Sequence, residues 1–267
     1  MAKKKTIHMI AGLPRSGSTL LCNILNQNPR FHATSTSGIL EIVLTLRNQW
    51  EQVTEFRACP NKVGKNAVIK QILPSYYSTV ERPVIFDKSR GWCGYIEMAE
   101  HILDREIKIL VPVRDLVDIL ASFEKLFRSQ SHEWQFPQEK SNHAQWQTCN
   151  GRAEIWMRDN QPVGAAYNRI RDAIDRGFAD RLHFIELEGL TNFPEVTMKQ
   201  VYKFLGEKWF EHDFNNVEQV THENDDMHGI PGLHTIRPKV APVQVDAQSL
   251  IGDLAYNKFK DAQFWRQ

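Results

Sequence analysis

The chain has 267 residues, 42% of them hydrophobic and 24% charged, with a formal net charge of +1. That is enough apolar material for a sizeable core, in one large α/β domain or two small ones. The balanced charge, with one dense basic run at Lys3, Lys4 and Lys5, argues against holding a nucleic-acid polyanion, and no apolar run approaches the roughly 18–20 residues that cross a bilayer.

Residues 7–11 read as a strand and residues 19–25 as the start of a helix, with the run GLPRSGST between them. A polar link over 28–38 leads to a helix over 39–50, whose Ile39, Ile42, Val43, Leu46 and Trp50 recur at helical spacing. A looser segment through Asn61 precedes a second helix over 65–77. Short apolar runs at 83–86 and 107–113 read as strands with a helix over 95–103 between them, and Pro112 is awkward for a central strand.

Residues 115–127 form an amphipathic helix pattern. Periodicity then breaks over 129–150, a polar insertion that still carries Trp134, Phe136 and Trp146, which suit an acceptor pocket, a dimer contact or simple loop packing. A long helical pattern covers 152–176, a strand 182–187, and a helix 194–205 closed by Gly206, a natural C-cap residue. The tail from 213 shows no clear period. Strands alternating with helices predict a mainly parallel sheet covered on both faces, and with no repeat or flexible linker one domain over 1–267 is the simplest organisation.

Cys22, Cys59, Cys93 and Cys149 are spread without a C-x-x-C pair, the pattern of reduced thiols, although four could make two disulfides. The N-terminus shows no secretory h-region. A cytoplasmic protein is expected. No histidine falls at metal-ligand spacing, and no metal is expected.

The run between the first strand and helix is the most informative segment. Gly12, Gly17 and Thr19 keep the spacing of a phosphate-binding loop, but Ser18 stands where the lysine of the nucleotide loop belongs. Backbone N–H groups at a helix N-terminus bind anions in any case, and Arg15 adds a planar fork suited to oxyanions. The strand at 107–113 runs into Arg114, not into the aspartate that holds Mg²⁺ in ATP- and GTP-splitting enzymes. Arg114 sits where open α/β sheets bind ligands, although such an arginine is equally a structural ion-pair member.

Residues 10–21, together with Arg114 and Ser122 eight positions later, resemble the sulfotransferase family, as does the strand and helix over 184–209 ending Phe204-Leu205-Gly206. The likeness is nearest to the tyrosylprotein sulfotransferase branch. It implies a P-loop NTPase-like three-layer sandwich. It also implies an enzyme that moves a sulfuryl group from 3′-phosphoadenylyl sulfate (PAPS) to a hydroxyl acceptor, leaving adenosine 3′,5′-bisphosphate. Pro14, Arg15, Ser16, Gly17, Ser18 and Thr19 would then hold the 5′ end of the donor, and Arg114 with Ser122 its 3′-phosphate. Arg237 and Lys239 would belong to a late basic loop closing over the nucleotide.

The family's catalytic lysine corresponds to Lys88, in Asp87-Lys88-Ser89-Arg90, which lacks the family's following proline. The glutamate that serves as base in the tyrosylprotein branch falls at Thr36 here. Glu41 is the nearest acid, and is equally a first-turn acid favoured by the helix dipole. Acceptors open to such an enzyme are a small alcohol, a carbohydrate, a lipid or a peptide tyrosine, and a homodimer is compatible with the sequence. Two other readings of the loop are a kinase or nucleotidase using ATP and Mg²⁺, and a nucleotide-binding partner without catalysis.

Overall fold

The computed structural model describes residues 5–129, 143–228, 230 and 232–266. Five strands, β1 (Thr6–Ile10), β2 (Phe31–Thr36), β3 (Val84–Lys88), β4 (Ile109–Val113) and β5 (Leu182–Glu186), make one parallel sheet in the order β2-β3-β1-β4-β5. The period-2 alternation of strand side chains feeds two separate cores. Ile7, Met9, Ile85, Ile109 and Val111 enter one, while Ile10, Phe31, Val84, Phe86 and Leu110 enter the other.

The first core is closed by α2 (Ile39–Gln49), α4 (Lys62–Tyr76), α5 (Ile96–Leu103), α6 (Leu116–Ser129), α8 (Cys149–Trp156), α9 (Pro162–Asp175) and α12 (Ala247–Phe259), with the short α3 (Thr54–Ala58) before α4 and α7 (His143–Trp146) before α8. The second is closed by α1 (Ser18–Asn26), α10 (Leu187–Asn192) and α11 (Pro194–Leu205). Helices on both faces of a parallel sheet are the three-layer architecture that the resemblance implies. Because β1 pairs with both β3 and β4, the strand order switches direction at β1, and the loops leaving these strands splay apart into a crevice at the carboxyl edge.

Four local features differ from the sequence reading, each for a physical reason. The link over 28–38 holds the edge strand β2, which places only Phe31 and Ala33 fully inside and so lacks a strong apolar signal. The pattern over 152–176 is two helices, broken at Met157–Gln161 and restarted by Pro162, whose fixed φ suits a first turn. Residues 247–259 are helical but kinked at Gly252, where φ is +80°, so their periodicity does not run through. Pro112 lies inside β4 and fully buried. The parallel ladder would have its missing N–H donate to the Ala11 carbonyl, and the Cys93 thiol reaches that oxygen instead, at 3.5 Å.

Gly206 is the left-handed C-cap of α11, as its position predicts. Trp146 is not at a pocket: it packs against Phe127 and Trp156 in the first core. Trp134 and Phe136 lie outside the described residues. The four cysteines are free thiols, and no helix among the described residues is long and apolar enough to cross a membrane.

His8 gives the fold a pH dependence. It is buried in β1, its Nδ1 has no protein partner, and burial, together with the charges of Arg105 and Lys108, pushes its pKa down to about 3. The unfolded chain accepts a proton near the ordinary value of about 6.5, which the native state refuses until about pH 3. The stability that neutral His8 allows is therefore complete above pH 6.5 and lost on acidification, at up to about 1.4 kcal/mol per pH unit. Urea-unfolding midpoints at pH 7 and pH 5 should differ less in His8→Phe than in the parent chain. An unchanged slope would show that His8 is not the group responsible.

Candidate active site

Everything predicted to touch the donor converges on the carboxyl edge of the sheet. The loop after β1 turns tightly against β4. A Cβ on Gly12 would stand 2.1 Å from the Pro112 carbonyl oxygen, so only glycine fits there. Ser16 Oγ donates to the Leu13 and Pro112 carbonyls, at 2.5 and 2.9 Å, and fixes the loop to β4. Arg15 and Gly17 are left-handed, with φ of +59° and +83°. A non-glycine residue in that region costs of order 1 kcal/mol and is characteristic of ligand-holding turns.

The consequence is a row of unused donors. Gly17 caps α1 without any side-chain hydrogen bond, and none of the N–H groups of residues 15–20 has a protein acceptor among the described residues. They face a cavity of about 540 Å³. Its wall includes Pro14, Arg15, Gly17, Ser18, Thr19, Lys88, Arg114, Ser122, Arg237 and Lys239, which brings together all the predicted donor contacts except the inward-turned Ser16. The cations and the open N–H groups fit a polyanion at the positive end of the α1 dipole.

Within that wall Arg15 and Arg114 are already engaged. Arg15 Nε donates to Ser122 Oγ at 3.2 Å, and its NH1 to the Leu233 carbonyl at 2.8 Å, which ties the phosphate loop to α6 and to the tail. Burial, then the neighbouring charge of Arg114, pulls the Arg15 pKa down, although Asp225 opposes this. Arg114 is buried and serves both of the roles its position allows. It lines the cavity and pairs with Asp118 at 3.3 Å and Glu188 at 3.7 Å.

Lys88 ends β3, buried at 6% exposure. Beneath it the Asp87 carboxylate accepts from Tyr77 Oη and from Trp92 Nε1, the latter at 2.6 Å, which anchors this strand end. Lys88 Nζ donates to Glu223 Oε1 at 3.0 Å, and the same oxygen accepts from Thr36 N and Thr36 Oγ1, both at 2.9 Å. Burial raises the Glu223 pKa, but Lys88 and the two Thr36 donors outweigh it and hold the carboxyl below its ordinary value. His234 Nδ1 lies 3.5 Å from Glu223 Oε2 and 2.5 Å from Asp225 Oδ1.

The structure thus brings a carboxylate to the side chain of Thr36, the position where the sequence lacks one. It comes from the tail, threaded along this edge by Asn23, which bonds Val220 and Thr221, and by Ser35, which donates to the His222 carbonyl. Glu41 is exposed in the first turn of α2 and lines neither this cavity nor the adjoining one beside β2. The only sequence signal for Glu223 was its acidic run, Glu223-Asn224-Asp225-Asp226, in a segment without period.

A phosphate-type loop, a ring of cations and a carboxylate at a crevice define a group-transfer enzyme acting on an anionic donor. The sulfotransferase family profile matches residues 9–211, and the chain belongs to that family. It is a PAPS-dependent sulfotransferase. Among solved structures it is similar to the sulfotransferase domain of the Synechococcus PCC 7002 olefin synthase, with a TM-score of 0.53, 19% identity and 93% and 94% of the two chains covered. It is also similar to a retinol dehydratase in complex with androsterone and the inactive cofactor PAP, with a TM-score of 0.51, 13% identity and 97% and 80% coverage. Identity at this level shows the shared fold. No curated protein matches the chain by sequence.

Proposed function

We propose that this chain is a single-domain, metal-independent sulfotransferase in which the loop over 14–19 holds the 5′ end of PAPS. Arg114 and Ser122 would hold its 3′-phosphate, and Arg237 and Lys239 close over it. The observation that carries this reading is the row of N–H groups over 15–20 without acceptors, opening on a cavity shared with Lys88. PAPS supplies an activated sulfuryl group. Arg15 and Lys88 place positive charge where the leaving phosphate oxygen gains negative charge as its bond to sulfur breaks. Glu223 takes the acceptor's hydroxyl proton as the new oxygen–sulfur bond forms. Thr36 holds the Glu223 carboxylate in place, and once Lys88 turns to the donor, the burial that opposes Lys88 favours proton uptake. Glu223 therefore replaces Glu41 as the base.

The unpaired thiols, two of them fully buried, support a reducing compartment such as the cytoplasm. The place of Glu223 supports a relation to the tyrosylprotein branch in chemistry, with the base supplied from a different segment.

Thermal shift tests the donor. At a bisphosphate concentration about 100 times Kd, binding to the native state adds about 2.7 kcal/mol, which for a chain of this size raises Tm by roughly 5–10 °C. Adenosine 3′,5′-bisphosphate should give that shift, and ATP with Mg²⁺ a much smaller one. The reverse order would return the site to the kinase or nucleotidase reading.

A further inference from the structure

Thr36 carries a hydroxyl placed as an acceptor's would be. A β-bulge in β2 decides which side chain stands there. Ala33 pairs with Phe86, yet Thr36 rather than Ser35 pairs with Lys88, so β2 takes up one extra residue between them. Bulges re-aim side chains beside active sites, and this one brings a threonine hydroxyl to the lysine while Ser35 turns to the His222 carbonyl. Thr36 Oγ1 donates to Glu223 Oε1 at 2.9 Å, and Lys88 Nζ donates to the same oxygen at 3.0 Å. The tether to Glu223 does not depend on that hydroxyl, because the Thr36 backbone N–H also donates to it, at 2.9 Å. Thr36 is exposed, and it lines both the donor cavity and the adjoining one beside β2. Other hydroxyls of the donor cavity are engaged differently. Ser122 Oγ accepts from Arg15, and Thr191 Oγ1 donates to the Leu187 and Glu188 carbonyls.

Sheet order sets the direction of attack. Along the carboxyl edge come the phosphate loop after β1, Lys88 at the end of β3 and Thr36 at the end of β2. Neighbouring strands lie about 4.8 Å apart, which puts Thr36 about two spacings from the loop, with Lys88 between them. Transfer of such a group runs with the attacking and leaving oxygens roughly in line, and this order supplies that line. We propose that Thr36 is itself a sulfation site, modified when the donor is bound and no acceptor is present. Glu223 takes the proton of Thr36 Oγ1, which forms a bond to sulfur. The bond from sulfur to the bridging phosphate oxygen breaks, and its electron pair leaves on adenosine 3′,5′-bisphosphate. The product is a threonine O-sulfate at the end of β2. Passing the group on would expel an alkoxide instead of a phosphate, so the ester persists, and its negative charge stands against Glu223 where an acceptor hydroxyl must bind. An idle donor complex thereby closes itself. The proposal rests on the reading of the donor loop and of Glu223 as the base.

The test incubates the full chain with PAPS radiolabelled in its sulfuryl group, without acceptor, and maps the label after trypsin digestion. Label should accumulate on the peptide over 31–47 and fragment to Thr36. Thr36→Ser should still be labelled, Thr36→Val should carry no label on that peptide, and Glu223→Gln should be labelled about 10²-fold more slowly, as befits loss of a base. The thermal shift given by adenosine 3′,5′-bisphosphate, retained in each variant, certifies folding and donor binding. A parent chain that binds the bisphosphate and stays unlabelled overturns the proposal. So does label that survives on this peptide in Thr36→Val, or labelling indifferent to Glu223→Gln. Absence of any bisphosphate shift in the parent chain overturns the donor reading instead, and the sulfation of Thr36 with it.

Discussion

Replacement of Lys88 by alanine should lower kcat for sulfuryl transfer about 10³-fold while the Kd for adenosine 3′,5′-bisphosphate changes by less than about tenfold. Removing one preorganised charge from a developing oxyanion typically costs 10²–10³-fold in kcat. Lys88 is the best placed of the cations because β3 and the Asp87 network beneath it fix its origin, and the side chain is almost fully enclosed. The loop N–H groups and Arg15 remain to bind the nucleotide, so the loss belongs in kcat. A structural explanation makes a different prediction. Breaking a buried pair by deleting one partner costs about 3–5 kcal/mol, and Lys88→Ala removes the ammonium that pairs with Glu223, a carboxylate at 9% side-chain exposure. The double variant Lys88→Met with Glu223→Gln removes both charges. It should recover most of the thermal stability and none of the activity. If activity returned with stability, Lys88 would be a structural residue.

The parts of this site that were legible in the sequence are those fixed by local chemistry. Gly12 and Gly17 are dictated by a close approach and a left-handed turn, and Arg114 by a strand ending. Such constraints act over a few residues and leave a motif. The fold class followed for the same reason, since the strands other than β2, and the helices α2, α4, α5 and α6, each carry their own apolar pattern. Glu223 left no motif because its position depends on contacts half the chain or more away. Thr36 and Lys88 are 187 and 135 residues from it in sequence, and the tail that brings it there is ordered by side-chain bonds to Asn23 and Ser35 rather than by periodic burial. Glu41, near in sequence to Thr36, was drawn away from the site by the apolar stripe of α2, whose Ile39, Leu40 and Val43 face the core. β2 was missed on similar grounds: an edge strand gives its identity through pairing with β3 more than through its own composition.

Glu223→Gln should cost about 10²–10⁴ in kcat, the range for loss of a positioned general base, and should also change the shape of the pH profile. In the free enzyme Lys88 and the Thr36 donors hold the Glu223 carboxyl below the ordinary glutamate value of roughly 4.3, so the acid limb of kcat/KM lies lower than that. Once Lys88 turns to the donor, its lowering influence is withdrawn while burial, which raises the pKa, persists. Glu223 then becomes a stronger base in the complex than it was alone. The acid limb of kcat should therefore lie at higher pH than that of kcat/KM, since the two report the complex and the free enzyme respectively. Glutamine keeps the shape and one acceptor oxygen for Thr36 but has no proton to gain or lose, so the residual activity should show no acid limb from this group. His234, 3.5 Å away and itself against Asp225, is the competing base. If the proton went there, the Glu223→Gln variant would keep most of its kcat and His234→Gln would lose it. The two variants distinguish these cases, because each removes one candidate group and leaves the other in place.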